Sequence, residues 1–152
     1  FLDPEHKAIG LSHSGWRGTG KRRGQVTVDA MKEAFGTRPE DIIACIVPSI
    51  CGDCYEVGEE VADEFADAFH EKYHDVILLK KQNGKYQLDL WKANEIVLKE
   101  AGIKGDDRSG TNICTYCNPQ LLFVHRRTAE RRGNLCAFLS LKEKYTSVVK
   151  HK

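Results

Sequence analysis

The sequence predicts an α/β protein, a single domain with a mixed β-sheet and flanking helices. Three observations lead there. Short apolar runs of strand character alternate with segments of helical spacing along the first half of the chain. The run Ile42-Ile-Ala-Cys-Ile-Val47 is continuously apolar and rich in β-branched residues, the pattern of a strand covered on both faces. Gln82-Asn-Gly84 separates two short strand-like segments, and an Asn-Gly pair there marks a hairpin, hence antiparallel pairing beside the strand–helix units.

The elements follow in order. Phe1-Leu2, the turn Asp3-Pro-Glu-His6 and the run Lys7–Leu11 read as strand, turn, strand, with the first strand cut short. A segment preceding it is therefore expected to be missing from this chain. A glycine-rich loop leads to a helix from about Gly20 to Phe35, with Val26, Ala30, Met31 and Ala34 on one face and Gly36 past its end. Thr37–Asp41 connects to the Ile42–Val47 strand, which Pro48 stops.

A second helix is expected from about Glu56 to Tyr73, because Val57, Val61, Phe65, Ala68 and Phe69 recur at helical spacing as core positions. Val76–Lys80 and Lys85–Leu88 form the hairpin. Asp89 caps a third helix running to about Ala101 and closed by Gly102. Asn112–Cys117 and Leu121–Arg127 read as a strand or turn pair, Leu135–Leu141 as a final strand, and the tail from Glu143 as frayed.

With 152 residues the chain is sized for one domain with its own core. A net charge of +1 gives no bulk electrostatic case for nucleic acid or an anionic membrane, so small molecules are the expected partners. The basic clusters at Lys21-Arg-Arg23, Arg126-Arg127 and Arg131-Arg132 are short enough to be solvated faces. No apolar run approaches the ~20 residues of a membrane span, and no signal peptide is visible. An α/β chain of this size does not need disulfide staples, so its six cysteines are expected as reduced thiols in the cytoplasm.

The richest segment is His13-Ser-Gly-Trp-Arg-Gly-Thr-Gly-Lys21, at a strand-to-helix junction where free backbone N–H groups and a helix dipole suit an anion. It adds a metal ligand candidate in His13 and a fork donor for phosphate or carboxylate in Arg17. His13 can equally be a hydrogen-bonded structural residue, and Arg17 a surface charge. Gly15-x-x-x-x-Gly20-Lys21 is most of a Walker A loop, but Arg22 stands where Ser or Thr must hold magnesium, and no Asp closes the next strand. A P-loop hydrolase is therefore rejected, while the anion site stays open.

Two Cys-x-x-Cys pairs, Cys51/Cys54 and Cys114/Cys117, have tetrathiolate spacing within each pair, but 59 residues lie between them where zinc ribbons use about 15–20. Structural zinc, a redox pair and unligated thiols all remain readings. His125-Arg-Arg127 closes an apolar segment, where Arg126 and Arg127 can reach phosphate or ribose or form a solvated tip. His70 and His74 sit near a helix end and look incidental.

At this point the chain resembles a family. Four blocks occur in its order: His13-Ser-Gly-Trp-Arg-Gly18, Pro48-Ser-Ile-Cys-Gly-Asp-Cys-Tyr-Glu-Val57, Leu88-Asp-Leu-Trp-Lys-Ala-Asn94, and Cys114-Thr-Tyr-Cys-Asn-Pro-x-Leu-Leu-Phe-x-His-Arg-Arg127. They are similar to the YfiH/YlmD type of laccase-domain protein, once described as multicopper polyphenol oxidases and understood as zinc-dependent purine nucleoside phosphorylases. The resemblance makes the chain look like the C-terminal portion of such a protein. It implies phosphorolysis of adenosine, inosine, guanosine and methylthioadenosine, with adenosine deamination beside it.

The resemblance further implies one zinc ion held by His, Cys and His, of which His13 is the last; the other two lie upstream of this chain. It also implies phosphate as co-substrate, for which Arg17, the Gly18 backbone and Arg126 are the expected contacts. The family usually reads Gly-Pro before Cys-Cys-Tyr-Glu-Val, and Cys51-Gly-Asp-Cys54 departs from that, so neither cysteine is promoted to catalytic ligand. A copper oxidase needs many histidines, and of six only His13 and His125 are well placed, with no His-x-His pair. The non-enzymatic alternative is a zinc-stabilised interaction domain built on the two Cys-x-x-Cys pairs.

Overall fold

The structure, a computed structural model, describes residues 1–128 and 133–142, so the tail from Glu143 and the pair Arg131-Arg132 lie outside the described residues. The chain opens with the expected hairpin: β1 (Leu2–Asp3) pairs antiparallel with β2 (Ala8–Ile9). Asp3 closes the turn. Its buried carboxylate accepts from the backbone N–H groups of Glu5 and His6 at 2.9 and 3.0 Å, and the His6 ring lies 2.8 Å away.

The expected Gly20–Phe35 helix is two helices, α1 (Trp16–Gly20) and α2 (Arg23–Phe35). Arg22 breaks them with a left-handed backbone, φ 53°. That conformation costs about 1–2 kcal/mol for a side-chain-bearing residue. Its guanidinium compensates by pairing with Glu100 and lying over the Phe69 ring. The buried face of α2 also differs from expectation: Gly24, Val28 and Met31 are buried, whereas Val26, Ala30 and Ala34 are exposed. Gly24 explains the rotation, because a Cβ there would stand 3.1 Å from Val97 and 3.3 Å from Leu98. A glycine with no apolar side chain thus occupies the contact of α2 with Val97 and Leu98, at the 90–100 helix.

The apolar run yields a shorter strand, β3 (Ala44–Ile46), and it is not covered on both faces. Ile42 and Ala44 are buried while Ile43 and Val47 are 44% and 50% exposed. The alternation follows from packing on one side only, where Val28, Met31, Leu98 and Ala101 meet Ile42 and Ala44.

The expected Glu56–Tyr73 helix is also divided. Glu56–Val57 forms β4, α3 spans Glu59–Ala68 after an extended Gly58, and α4 covers His74–Ile77. The core positions hold despite the wrong period: Val57, Phe65 and Phe69 are buried and Val61 and Ala68 pack against them. His74 is not incidental. Its Nε2 reaches the carbonyls of Ala66 and Phe69 at 3.0 and 2.9 Å, beside the end of α3.

The hairpin forms as expected from β5 (Leu78–Lys80) and β6 (Tyr86–Leu88), and α5 (Leu90–Glu100) is capped by Asp89, which accepts from the Lys92 N–H at 2.9 Å. A strand with no apolar signal in the sequence, β7 (Arg108–Gly110), pairs in parallel with β3. Of the expected pair at 112–127, Asn112–Cys117 is turn with a single bridge from Cys114 to Ser49, and the rest turns into α6 (His125–Thr128). Leu135–Leu141 is not a strand either: no partner pairs with it among the described residues, and Phe138 is 92% exposed.

The strands thus form two groups. In one, β2, β1, β3 and β7 join through an antiparallel Leu2–Ile43 bridge and the parallel β3–β7 pair; in the other, β4, β6 and β5 are antiparallel. Helix α5 spans both halves of the core, with Ala93, Ile96 and Val97 in one apolar cluster and Leu98 in the other. The molecule is a small α/β domain.

Candidate functional site

The four sequence blocks meet in space. Thr19, buried at the end of α1, donates its hydroxyl to the Ser14 carbonyl at 3.0 Å, which fixes the loop beginning at His13. Asn94 of α5 donates to the Thr19 hydroxyl at 2.9 Å. One turn earlier on the same helix, the Trp91 indole donates to Ser49 at 2.6 Å. Ser49 in turn exchanges backbone bonds with the last block, its carbonyl accepting from Thr115 at 3.1 Å and its N–H donating to Ile113 at 3.3 Å. Two sets of hydrogen bonds, joined through helix α5, therefore connect blocks far apart in sequence.

Within the first block, two glycines make room for His13. A Cβ on Gly18 would stand 2.9 Å from the His13 carbonyl, and one on Gly15 would stand 3.0 Å from its Nε2. Gly15 and Gly18 are therefore, first, space for the histidine. His13 itself is exposed. Arg17 lies over the Trp16 ring at 4.2 Å and has no hydrogen-bond or ion-pair acceptor among the described residues. Arg126 is anchored differently: Nη1 donates to the Glu56 carbonyl at 2.7 Å and the guanidinium covers the Tyr55 ring at 4.7 Å. No hydrogen bond, ion pair or ring contact joins Arg17 to Arg126.

The cysteines supply the finding that spacing left undecided. The sulfurs of Cys51, Cys54, Cys114 and Cys117 all lie within 4.8 Å of one another, with Cys54 and Cys117 at 3.5 Å. The Cys51 N–H points at the Cys114 sulfur at 3.4 Å. Burial pushes the Cys114 thiol up, but hydrogen bonds to its sulfur, those from the Cys51 and Cys117 backbones foremost, outweigh it and leave it at about 7. Burial and the neighbouring thiols push Cys51 and Cys54 up. Cys114 is thus shifted in the opposite direction from Cys51 and Cys54.

This cluster is the one group of three or more metal-ligating side chains among the described residues. His13 belongs to no such group. The residues of this chain do not by themselves fit the three-ligand His–Cys–His centre that the resemblance implies. Nor do the described residues gather histidines for several copper ions.

A small α/β domain whose motif blocks are tied into one network around the His13 loop is a laccase-domain protein. The chain belongs to the family described as multi-copper polyphenol oxidoreductase laccase, which matches residues 1–142. It is 35% identical over 143 residues to purine nucleoside phosphorylase YlmD of Bacillus subtilis, covering 94% of this chain and 51% of that protein. It is 34% identical over 133 residues to a protein named adenosine deaminase RL5 from an unknown prokaryotic organism, covering 88% and 50%. Among solved structures, Bacillus licheniformis YfiH superposes with a TM-score of 0.78 at 33% identity, over 83% of this chain and 47% of that one. The chain spans about half the length of these relatives.

Proposed function

We propose that this chain contributes the phosphate-binding part of a purine nucleoside phosphorylase site, acting on adenosine, inosine, guanosine and methylthioadenosine in the cytoplasm. The observation that carries the reading is the hydrogen-bond chain from Ser14 through Thr19 and Asn94, with Trp91 and Ser49 continuing it from the same helix. It sets the His13–Gly18 loop on the rigid α5 helix and leaves the Arg17 fork free. The name of the YlmD relative gives the same class of reaction.

In phosphorolysis the glycosidic C–N bond breaks with its electron pair leaving on the base, which takes up a proton. A phosphate oxygen forms the new bond to the anomeric carbon. The transition state is oxocarbenium-like, so the protein's main tasks are to hold phosphate against that carbon and to stabilise the departing base. Arg17 is proposed to clamp two phosphate oxygens, with the Gly18 N–H in the first turn of α1 as a further donor. Arg126, held on Glu56 and Tyr55, is proposed as a second donor to phosphate, with N–H groups beyond the one bound to the Glu56 carbonyl. His13 is proposed as one zinc ligand of the whole protein's centre.

The test is ribose 1-phosphate release from adenosine by the intact protein. Arg17→Ala is expected to raise the phosphate KM or lower kcat by about tenfold or more. Unchanged kinetics would remove Arg17 from the mechanism. Release of inosine and ammonia without added phosphate would instead establish deamination, the activity named for one relative. The second reading, a zinc-stabilised interaction domain without catalysis, is favoured only by the thiol cluster, and it predicts neither product.

A further inference from the structure

We infer that Cys51, Cys54, Cys114 and Cys117 hold one zinc ion as a tetrathiolate that clasps the Ser49–Val57 segment to the 112–118 turn. The inference is independent of the phosphorylase reading and of His13.

Geometry comes first. Four sulfurs at about 2.3 Å from a tetrahedral zinc are separated by about 3.8 Å. Here Cys54 and Cys117 stand at 3.5 Å and the whole set lies within 4.8 Å, so a tetrahedral ion fits with shifts of a few tenths of an ångström to about one. The donor set is all sulfur, which selects zinc and other thiophilic ions over magnesium or calcium.

Each Cys-x-x-Cys is a closed turn before any metal arrives. Cys54 N–H donates to the Cys51 carbonyl at 3.1 Å, and the Asn118 backbone and side chain both donate to the Cys114 carbonyl, at 3.2 and 2.8 Å. Gly52 permits the first turn to sit against the start of α5, since a Cβ there would be 3.0 Å from Asp89.

Charge is also provided for. Four thiols lose four protons on binding one divalent ion, leaving a site of charge −2. Two guanidiniums are anchored on the carbonyls of the two turns' own neighbourhood, Arg127 on Tyr116 at 3.1 Å and Arg126 on Glu56 at 2.7 Å. The clasp reinforces a sparse attachment, because 112–118 pairs with the rest of the fold through one isolated bridge to Ser49 rather than a strand ladder, with the Cys51 N–H to Cys114 sulfur contact beside it.

The experiment begins with the unmutated chain, reduced and then loaded with zinc alone. Metal analysis is expected to give one equivalent per chain. Brief alkylation followed by peptide mass mapping should label Cys45 and Cys136, both exposed, and protect the four cluster cysteines. Cobalt in place of zinc should show the visible bands of a tetrahedral thiolate site. Cys51→Ser and Cys114→Ser should each lose the metal, while His13→Ala and Cys136→Ser retain it. Equal labelling of all six thiols with zinc present overturns the inference, as does recovery of Cys51–Cys54 or Cys114–Cys117 disulfides from reduced, zinc-loaded protein.

Discussion

At the scale of single residues, two side chains show how burial is made tolerable. Asp3 is wholly buried, and burial by itself would raise its carboxyl. The hydrogen bonds it accepts, those of His6 among them, reverse that and hold it at about 2, below its usual 3.8. Because the folded value is the lower one, the contribution is fully present above about pH 4 and is lost as pH falls toward 2. Asp3→Ala is expected to destabilise the chain by about 2 kcal/mol in urea unfolding at neutral pH, with the difference from the parent shrinking toward pH 2. A difference independent of pH would show that the charge is not the source. His13 teaches the complementary lesson: its pattern of neighbours was legible, but the purpose of Gly15 and Gly18 was not, because their close approach to His13 exists only in the folded loop.

At the scale of elements, local chemistry was a good guide wherever a cap or a turn decided the matter. Asp89 caps α5 and Asn83-Gly84 closes the β5–β6 hairpin, as the residues require. Helical spacing misled where strand and helix adjoin: Val57 fits the period of α3 yet pairs with Tyr86 in a sheet. The crossing of α2 over α5 was hidden because its contact residue is Gly24. Gly24→Leu is expected to cost about 1–3 kcal/mol by overpacking, measured as a lower urea midpoint with an unchanged slope. A neutral result would show that α2 can move away from α5 freely. The strand β7 was missed for another reason. Arg108-Ser-Gly110 carries no apolar signal, and it is a strand because β3 lies alongside to accept it.

At the scale of the whole molecule, α5 makes two apolar clusters into one structure, with Val97 and Leu98 as adjacent residues facing different halves. The two halves should therefore unfold together. Leu98→Ala is expected to cost about 2–5 kcal/mol, and Trp91 fluorescence and far-ultraviolet circular dichroism should report the same midpoint. Separate transitions would show that the halves are independent. The same helix carries Asn94 and Trp91, so the spine of the core is also the bracket of the candidate site.

The sequence by itself determined the α/β class, the N-terminal hairpin, the capped helix α5, the core positions Val57, Phe65 and Phe69, and the blocks that mark the family. Those are matters of periodicity, capping and turn chemistry, which act over a few residues. Only the tertiary structure decided that four thiols meet, with contacts between cysteines 63 positions apart. It also decided that Gly18 serves His13 and that Arg17 is free while Arg126 is anchored. Such contacts follow from how α5, β3 and the 112–118 turn pack against one another, and no local pattern encodes that packing.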